Sequence, residues 1–140
     1  MSSEPKVRAD KPVVLFADDA PSVRFMLRTA FEAAGFAMIE TCDGHQALAV
    51  LASDQPVDIV VTDLHMPGID GMELVRRTRA LAARRYLPIV MLTTESQTNQ
   101  VQEGLKVGLT AWIVKPFKSE TLLKVVGKAL GQRIARTDPS

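Results

Sequence analysis

The sequence predicts a doubly wound α/β sandwich built on a five-stranded parallel sheet. Three observations predict it. Short apolar runs alternate with helix-period segments five times along the 140 residues. The runs "VVLF", "VDIVVT" and "IVML" are apolar nearly throughout and rich in β-branched residues, which suits central strands covered on both faces. The joins are short, and no linker, repeat or low-complexity tract divides the chain.

Val13 to Phe16 reads as the first strand. Pro21 suits the first turn of the following helix, where its missing N–H leaves no bond unmade. Val23, Met26, Leu27, Ala30, Phe31 and Ala34 recur at steps of three and four, one apolar stripe that Gly35 ends. "FAMIE", Phe36 to Glu40, mixes in a charge and reads as an edge strand. Ala47, Leu48 and Leu51 stripe the second helix, on which His45 reads as a surface residue. Val57 to Thr62 is the third strand, and Met72, Val75 and Thr78 mark the third helix. The group Arg76, Arg77, Arg79, Arg84 and Arg85 is expected to follow that helix as a solvated face, or less favourably as a guide for an acidic partner. Ile89 to Leu92 is the fourth strand; Val101 and Leu105 mark a helix stopped near Gly108. Ala111 to Val114 is the fifth strand. Leu122, Leu123, Val126, Ala129 and Leu130 stripe the last helix, with Ser119 as N-cap and Glu120 in the first turn. The domain so defined spans residues 12–132, with mobile polar tails expected at 1–11 and 133–140.

Positive and negative charges nearly cancel, at a net +1, so bulk charge argues for neither nucleic acid nor an anionic membrane. No apolar run approaches the ~20 residues that span a bilayer. The polar start "MSSEPKVRADKP" lacks the apolar stretch of a signal peptide. Cys42 is the only cysteine, which excludes an internal disulfide and a Cys-based zinc cluster and fits a reducing cytoplasm. Neither G-x-G-x-x-G nor a P-loop occurs, which disfavours nucleotide binding.

Open parallel sheets bind ligands beyond the carboxyl ends of their strands. After the first strand come Asp18 and Asp19, after the third Asp63, after the fourth Thr93 and Thr94, and after the fifth Lys115. Taken singly, each has an ordinary explanation: Asp19 a helix cap, Asp63 a turn initiator, Thr93 a strand end, Lys115 a solvated loop charge. Taken together they crowd one edge of the sheet. Carboxylates gathered there repel one another and resist full ionisation. A hard divalent cation relieves this, and Mg²⁺ favours a few carboxylates plus water. A cation, a hydroxyl and an ammonium around a carboxylate point to a phosphate group.

"FADDAPSVR", "TDLHMPGIDGMEL", "VMLTTES" and "VKPF", in this order and spacing, make the chain resemble a receiver domain of a two-component response regulator. The likeness is greatest to the free-standing chemotaxis type and covers Pro12 to Gly131. It implies a flavodoxin-like strand order of 2-1-3-4-5. It implies that Asp63 accepts a phosphoryl group from a phosphohistidine on a sensor histidine kinase or phosphotransfer protein. Asp19 and Asp63 would bind Mg²⁺ (or Mn²⁺ in its place) directly, with the backbone carbonyl of His65 as a further ligand and Asp18 acting through a metal-bound water. Thr93 and Lys115 would contact phosphoryl oxygens, and Pro116 would follow a cis peptide that aims Lys115 inward. Thr93 is chosen over Thr94 because it directly follows the apolar run and stands two before Glu95, as in the family pattern.

The resemblance also implies a switch. Trp112 would move as Thr93 is drawn toward the phosphate, altering a face that includes Val101, Trp112, Val114 and Lys128. Tyrosine or phenylalanine is commoner there, and the larger indole bears on how far inward the ring can move. His65 and Glu95 would flank an attacking water and tune the lifetime of the phosphoryl group, against the alternative of two solvated loop side chains. Since only a short tail follows the fifth helix, output is expected through another protein: the flagellar motor switch if the pathway is chemotaxis. A multistep phosphorelay or developmental regulator has the same architecture. The expected state is a monomer, with a phosphorylation-dependent dimer left open. An aspartyl-phosphate phosphatase of the haloacid dehalogenase type is disfavoured, since "FADDA" holds adjacent aspartates rather than D-x-D and no cap domain is present. A degenerate receiver would lack one of the five key residues, and all are present.

Overall fold

Five apolar segments pair edge to edge as β1 (Val13–Ala17), β2 (Ala37–Thr41), β3 (Ile59–Asp63), β4 (Ile89–Thr93) and β5 (Ala111–Val114). All pair in parallel, in the order β2-β1-β3-β4-β5. Between them run α1 (Pro21–Ala33), α2 (Gly44–Ala52), α3 (Gly71–Ala80), α4 (Thr98–Val107) and α5 (Ser119–Thr137), with a single 3-10 turn at Ala82–Arg84. The structure is a computed structural model that describes residues 11–94 and 98–137, and their side chains other than those of 98–101 and 132–137.

The sheet is buried on both faces, which is why its central strands are apolar without alternation. Val14 and Phe16 of β1 pack with Leu27 and Phe31 of α1 and Leu122 and Val126 of α5. Leu15 and Ala17 point the other way, against Ala47 and Leu51 of α2 and Leu74 and Val75 of α3. The same division runs through Ile59 and Val61 against Val60, and Val90 and Leu92 against Ile89 and Met91. Full burial of each such side chain is worth about 1.5–3 kcal/mol. The Phe31 ring stacks on Phe16 at 6.1 Å, anchoring α1 over the start of the site.

Local signals set the helix ends. Pro21 opens α1, and Gly35, at φ +86°, closes it with Phe36 N–H donating to the Phe31 carbonyl at 3.0 Å. Asp43 caps α2 by accepting from Gln46 N–H at 2.8 Å, and Asp70 caps α3 by accepting from Glu73 N–H at 2.9 Å.

The ordinary explanation of Asp19 as a helix cap falls away: the cap position of α1 is Ala20, whose N–H donates to the Asp18 carboxylate at 2.9 Å. Three expectations need correction. Ser119 is the first helical residue of α5 rather than its N-cap, and the Lys118 carbonyl accepts the first bond, from Leu122 N–H. The C-terminal tail expected at 133–140 begins as helix: α5 continues to Thr137, because Gly131 lowers helix propensity without forbidding it and nothing before Pro139 does. The arginine group is not one solvated face. Arg76, Arg77 and Arg79 lie within α3, and Arg76 and Arg77 pair with Glu73, which holds the Glu73 carboxyl below its usual value, chiefly through the Arg77 hydrogen bond. Arg84 is buried, donating to the carbonyls of Leu51, Ser53 and Gln55 at 3.1, 3.2 and 2.6 Å. Arg79 grips the Gly108 carbonyl at 2.7 and 3.1 Å, tying α3 to the end of α4. Periodicity cannot show this, since the partners come from other elements. Arg85 is exposed, as is His45.

Candidate functional site

Sheet register gathers the polar residues at the carboxyl ends. Ala17 of β1 stands level with Thr62 of β3, so the next residues, Asp18 and Asp63, emerge side by side. Asp63 is level with Leu92, and Thr93 with Val114, which puts Thr93 and Lys115 one step further along the same edge. Asp63 and Thr93 are thus the last residues of their strands, held by the sheet ladder, while Asp18, Asp19 and Lys115 begin loops. Lys115 N–H donates to the Thr93 carbonyl at 2.8 Å, fixing where the fifth loop starts. The Lys115–Pro116 peptide is cis.

One carboxylate oxygen from each of Asp18, Asp19 and Asp63 lies within 4.8 Å of the others, with Asp18 and Asp63 buried and Asp19 exposed. The Lys115 ammonium reaches in from the other side, donating to Asp63 Oδ1 at 3.0 Å and Asp18 Oδ2 at 3.2 Å. Burial raises the Asp63 carboxyl above its ordinary value; the Lys115 hydrogen bond opposes this, and the charges of Asp18 and Asp19 add to it. Burial pulls Lys115 down, but its bond to Asp63 and the charges of Asp18 and Asp63 prevail and hold it raised. The donor set is oxygen-only, clustered and open to solvent at Asp19, which fits a hard divalent cation of the Mg²⁺ kind and not a soft thiolate metal. Thr93, 4% exposed, lies at the inner edge of the site, whereas Thr94 is exposed.

Two residues that support the site carried no role in the sequence reading. Thr41, at the end of β2, donates its hydroxyl to the Phe16 carbonyl at 2.8 Å, and its own carbonyl accepts from Asp18 N–H at 3.4 Å. Gly71 opens α3 so near the end of β3 that a Cβ there would stand 2.5 Å from the Asp63 carbonyl oxygen. The "PGIDG" turn signal marks the second glycine as loop chemistry; only the packing shows that the need is space rather than conformation. The loop between them is pinned by buried Met66 and Ile69 and by Gly71 N–H on the Leu64 carbonyl at 2.8 Å, leaving His65 exposed beside the cluster.

The family profile described as response regulator receiver domain matches residues 14–127. This chain belongs to the response regulator receiver domain family. It is 34% identical over 116 residues to the chemotaxis protein CheY of Pseudomonas aeruginosa, covering 82% of this chain and 93% of that one. The structure of the chemotaxis response regulator CheY4 of Vibrio cholerae superposes with a TM-score of 0.81 at 39% identity, covering 85% of this chain and 98% of that one. The receiver domain of the sensor histidine kinase PA1611 of Pseudomonas aeruginosa, solved with a magnesium ion coordinated in its active site cleft, superposes with a TM-score of 0.79 at 25% identity, covering 86% of this chain and 98% of that domain. A receiver is a signalling module of two-component systems, and no helix among the described residues is long and apolar enough to cross a membrane.

In this receiver Trp112 lies on edge strand β5, 37% exposed, and Val114 beside it is 40% exposed. Trp112 lines an open groove of about 260 Å³ between β5 and α5, together with Val125, Lys128 and Ala129. Three of the residues expected on the output face, Trp112, Val114 and Lys128, are therefore solvent-accessible. Glu95 and the side chain of Val101 lie outside the described residues.

Proposed function

We propose that this receiver takes a phosphoryl group from a phosphohistidine onto the Asp63 carboxylate and converts that event into a change of the face formed by α4, β5 and α5. The observation that carries the proposal is the buried Asp63 carboxylate, held by Lys115 at 3.0 Å within an acidic cluster that can take a cation. An oxygen of Asp63 attacks phosphorus in line as the P–N bond to the donor histidine breaks. Asp19 and Asp63, with the His65 carbonyl, would hold Mg²⁺ or Mn²⁺, and Asp18 would act through its bound water. The ion's chemistry is to neutralise charge on the phosphoryl oxygens. Lys115 takes up one of these oxygens in exchange for part of its contact with the aspartates, and Thr93 donates to another. Drawing Thr93 inward opens the space beside it, which Trp112 fills, so a local charge event biases a bistable packing arrangement.

The functional unit is the receiver domain proposed from residue 12, with its end moved from 132 to the end of α5 at Thr137, acting as a signalling protein that catalyses only its own phosphorylation and dephosphorylation. Exposed His65, with Glu95, tunes the lifetime of the phosphoryl group by ordering or blocking water; a double replacement that leaves the dephosphorylation rate unchanged would refute this. The likeness to chemotaxis regulators over nearly their whole length favours a chemotactic output, bound through Trp112, Val114 and Lys128 by a partner such as the flagellar motor switch. The second reading, an intermediate or sink in a phosphorelay, is favoured by the likeness to a receiver domain carried on a sensor kinase. The proposed setting is the cytoplasm and the proposed state a monomer.

Mass spectrometry after incubation with acetyl phosphate and MgCl₂ tests the core of this. One phosphoryl adduct is expected on the parent and none on Asp63→Asn; a parent protein that never acquires the adduct would sink the proposal.

A further inference from the structure

The loop bearing Asp18 and Asp19 is anchored from outside the acidic cluster. Arg24, on α1, donates from its terminal nitrogen to the Asp18 carbonyl oxygen at 2.7 Å and from Nε to Glu40 Oε2 at 3.1 Å. Arg28, one turn further, donates to the other Glu40 oxygen at 2.7 Å. Glu40 lies on edge strand β2, level with Phe16 of β1, so the sheet itself places this carboxylate. The Asp18 carbonyl belongs to the peptide that joins Asp18 to Asp19. Its orientation sets where the backbone delivers Asp19. Asp18 has further ties: its N–H to Thr41 and its carboxylate to Ala20 N–H and Lys115. Asp19 has none of these. It is exposed, and among the described residues its carboxylate takes no hydrogen bond or ion pair.

We propose that Arg24 is a positioning residue: its guanidinium, oriented by Glu40, fixes the Asp18–Asp19 peptide and with it the place at which Asp19 meets a divalent cation. The inference rests on the cation-dependent reading above and assigns a role outside the acidic cluster. Charge and position make opposite demands here, which makes the idea testable. Arg24 is a cation beside a cation site, so by Coulomb's law alone its removal tightens Mg²⁺ binding. Loss of positioning weakens it, and outer-shell partners of metal ligands commonly matter by about 10-fold or more.

Titration calorimetry with MgCl₂ on the parent, Arg24→Met and Arg24→Lys decides between them, with thermal unfolding in EDTA confirming that each variant is folded. Arg24→Met is expected to bind Mg²⁺ about 10-fold more weakly. The Mg²⁺ concentration that half-saturates labelling by acetyl phosphate should rise by the same factor, while the rate at saturating Mg²⁺ stays within about twofold. A general loss of structure would lower the saturating rate as well. Unchanged or tighter Mg²⁺ binding by Arg24→Met overturns the inference. If Arg24→Met does not fold, Arg24→Lys decides: it keeps the charge and loses the two-armed fork, so weakened binding supports positioning and parental binding overturns it. A parent protein that binds no Mg²⁺ overturns the cation reading itself, and the inference with it.

Discussion

Replacing the central carboxylate, Asp63→Asn, is expected to make the cation-free protein more stable. The oxygens of Asp18, Asp19 and Asp63 lie within 4.8 Å of one another, so at an effective dielectric near 20 each repulsion on ionised Asp63 is about 3.5 kcal/mol or more. The attraction to Lys115 across 3.0 Å is about 5.5 kcal/mol on the same scale. The hydrogen bond adds to that attraction, so Lys115 offsets the two repulsions, and burial of the ionised carboxyl, the largest influence on Asp63, tips the balance against the charge, by about 1–2 kcal/mol. Asparagine keeps the shape and removes the charge. The variant should gain about 1–2 kcal/mol at pH 7, which for a domain of this size is roughly 3–6 °C in Tm. Thermal unfolding followed by circular dichroism in EDTA measures it, and adding MgCl₂ should raise the parent's Tm more than the variant's. The effect has a definite pH sign. The Asp63 carboxyl is raised in the fold, so the fold's preference for the protonated form operates below its unfolded value and is lost as pH rises through the folded one. The difference between variant and parent should therefore close below about pH 4 and open above it. A variant less stable than the parent in EDTA at pH 7 would refute the reasoning, since the Lys115 bond would then outweigh repulsion and burial together.

Other substitutions probe separate links. Arg84→Ala removes a buried charged donor from three carbonyls, that of Leu51 buried and those of Ser53 and Gln55 part-buried, and should cost about 2–4 kcal/mol in urea unfolding, with labelling by acetyl phosphate retained. Gly71→Ala places a methyl against the Asp63 carbonyl and the Leu64 backbone; it should cost about 1–3 kcal/mol in the same assay and lower Mg²⁺ affinity. Lys115→Met removes the ammonium that touches both Asp18 and Asp63, and should destabilise the protein in EDTA while nearly abolishing labelling at equal MgCl₂.

Much of the architecture was legible because it rests on short-range patterns. β-branched runs buried on both faces lose their alternation, and α1 shows its stripe, its opening Pro21 and its closing Gly35 within fifteen residues of one another. The acidic cluster was legible for a related reason: strand ends in a parallel sheet face one way, so residues just after each run must share an edge. Boundaries were less legible. Asp63 and Thr93 lie inside their strands, because the ladder continues while a neighbour is available to pair. The roles of the arginines are not legible in the sequence, because a guanidinium's partner can be any carbonyl within reach of a long side chain. In the sequence Glu40 shows only as the charge that marks an edge strand; its partners Arg24 and Arg28 come from another element.

The sequence by itself determined the order of strands and helices, the two-faced burial of the sheet and the identity of the residues at its carboxyl edge. Those follow from periodicity, turn chemistry and chain direction, which are local. Only the tertiary structure decided that Lys115 lies between Asp18 and Asp63, that Arg84 ties down the segment after α2, and that Arg24 reaches back from α1 to hold the peptide between two aspartates. Such contacts depend on strand register and on packing between elements far apart in the chain, and both are settled only when the two faces of the sheet are buried together.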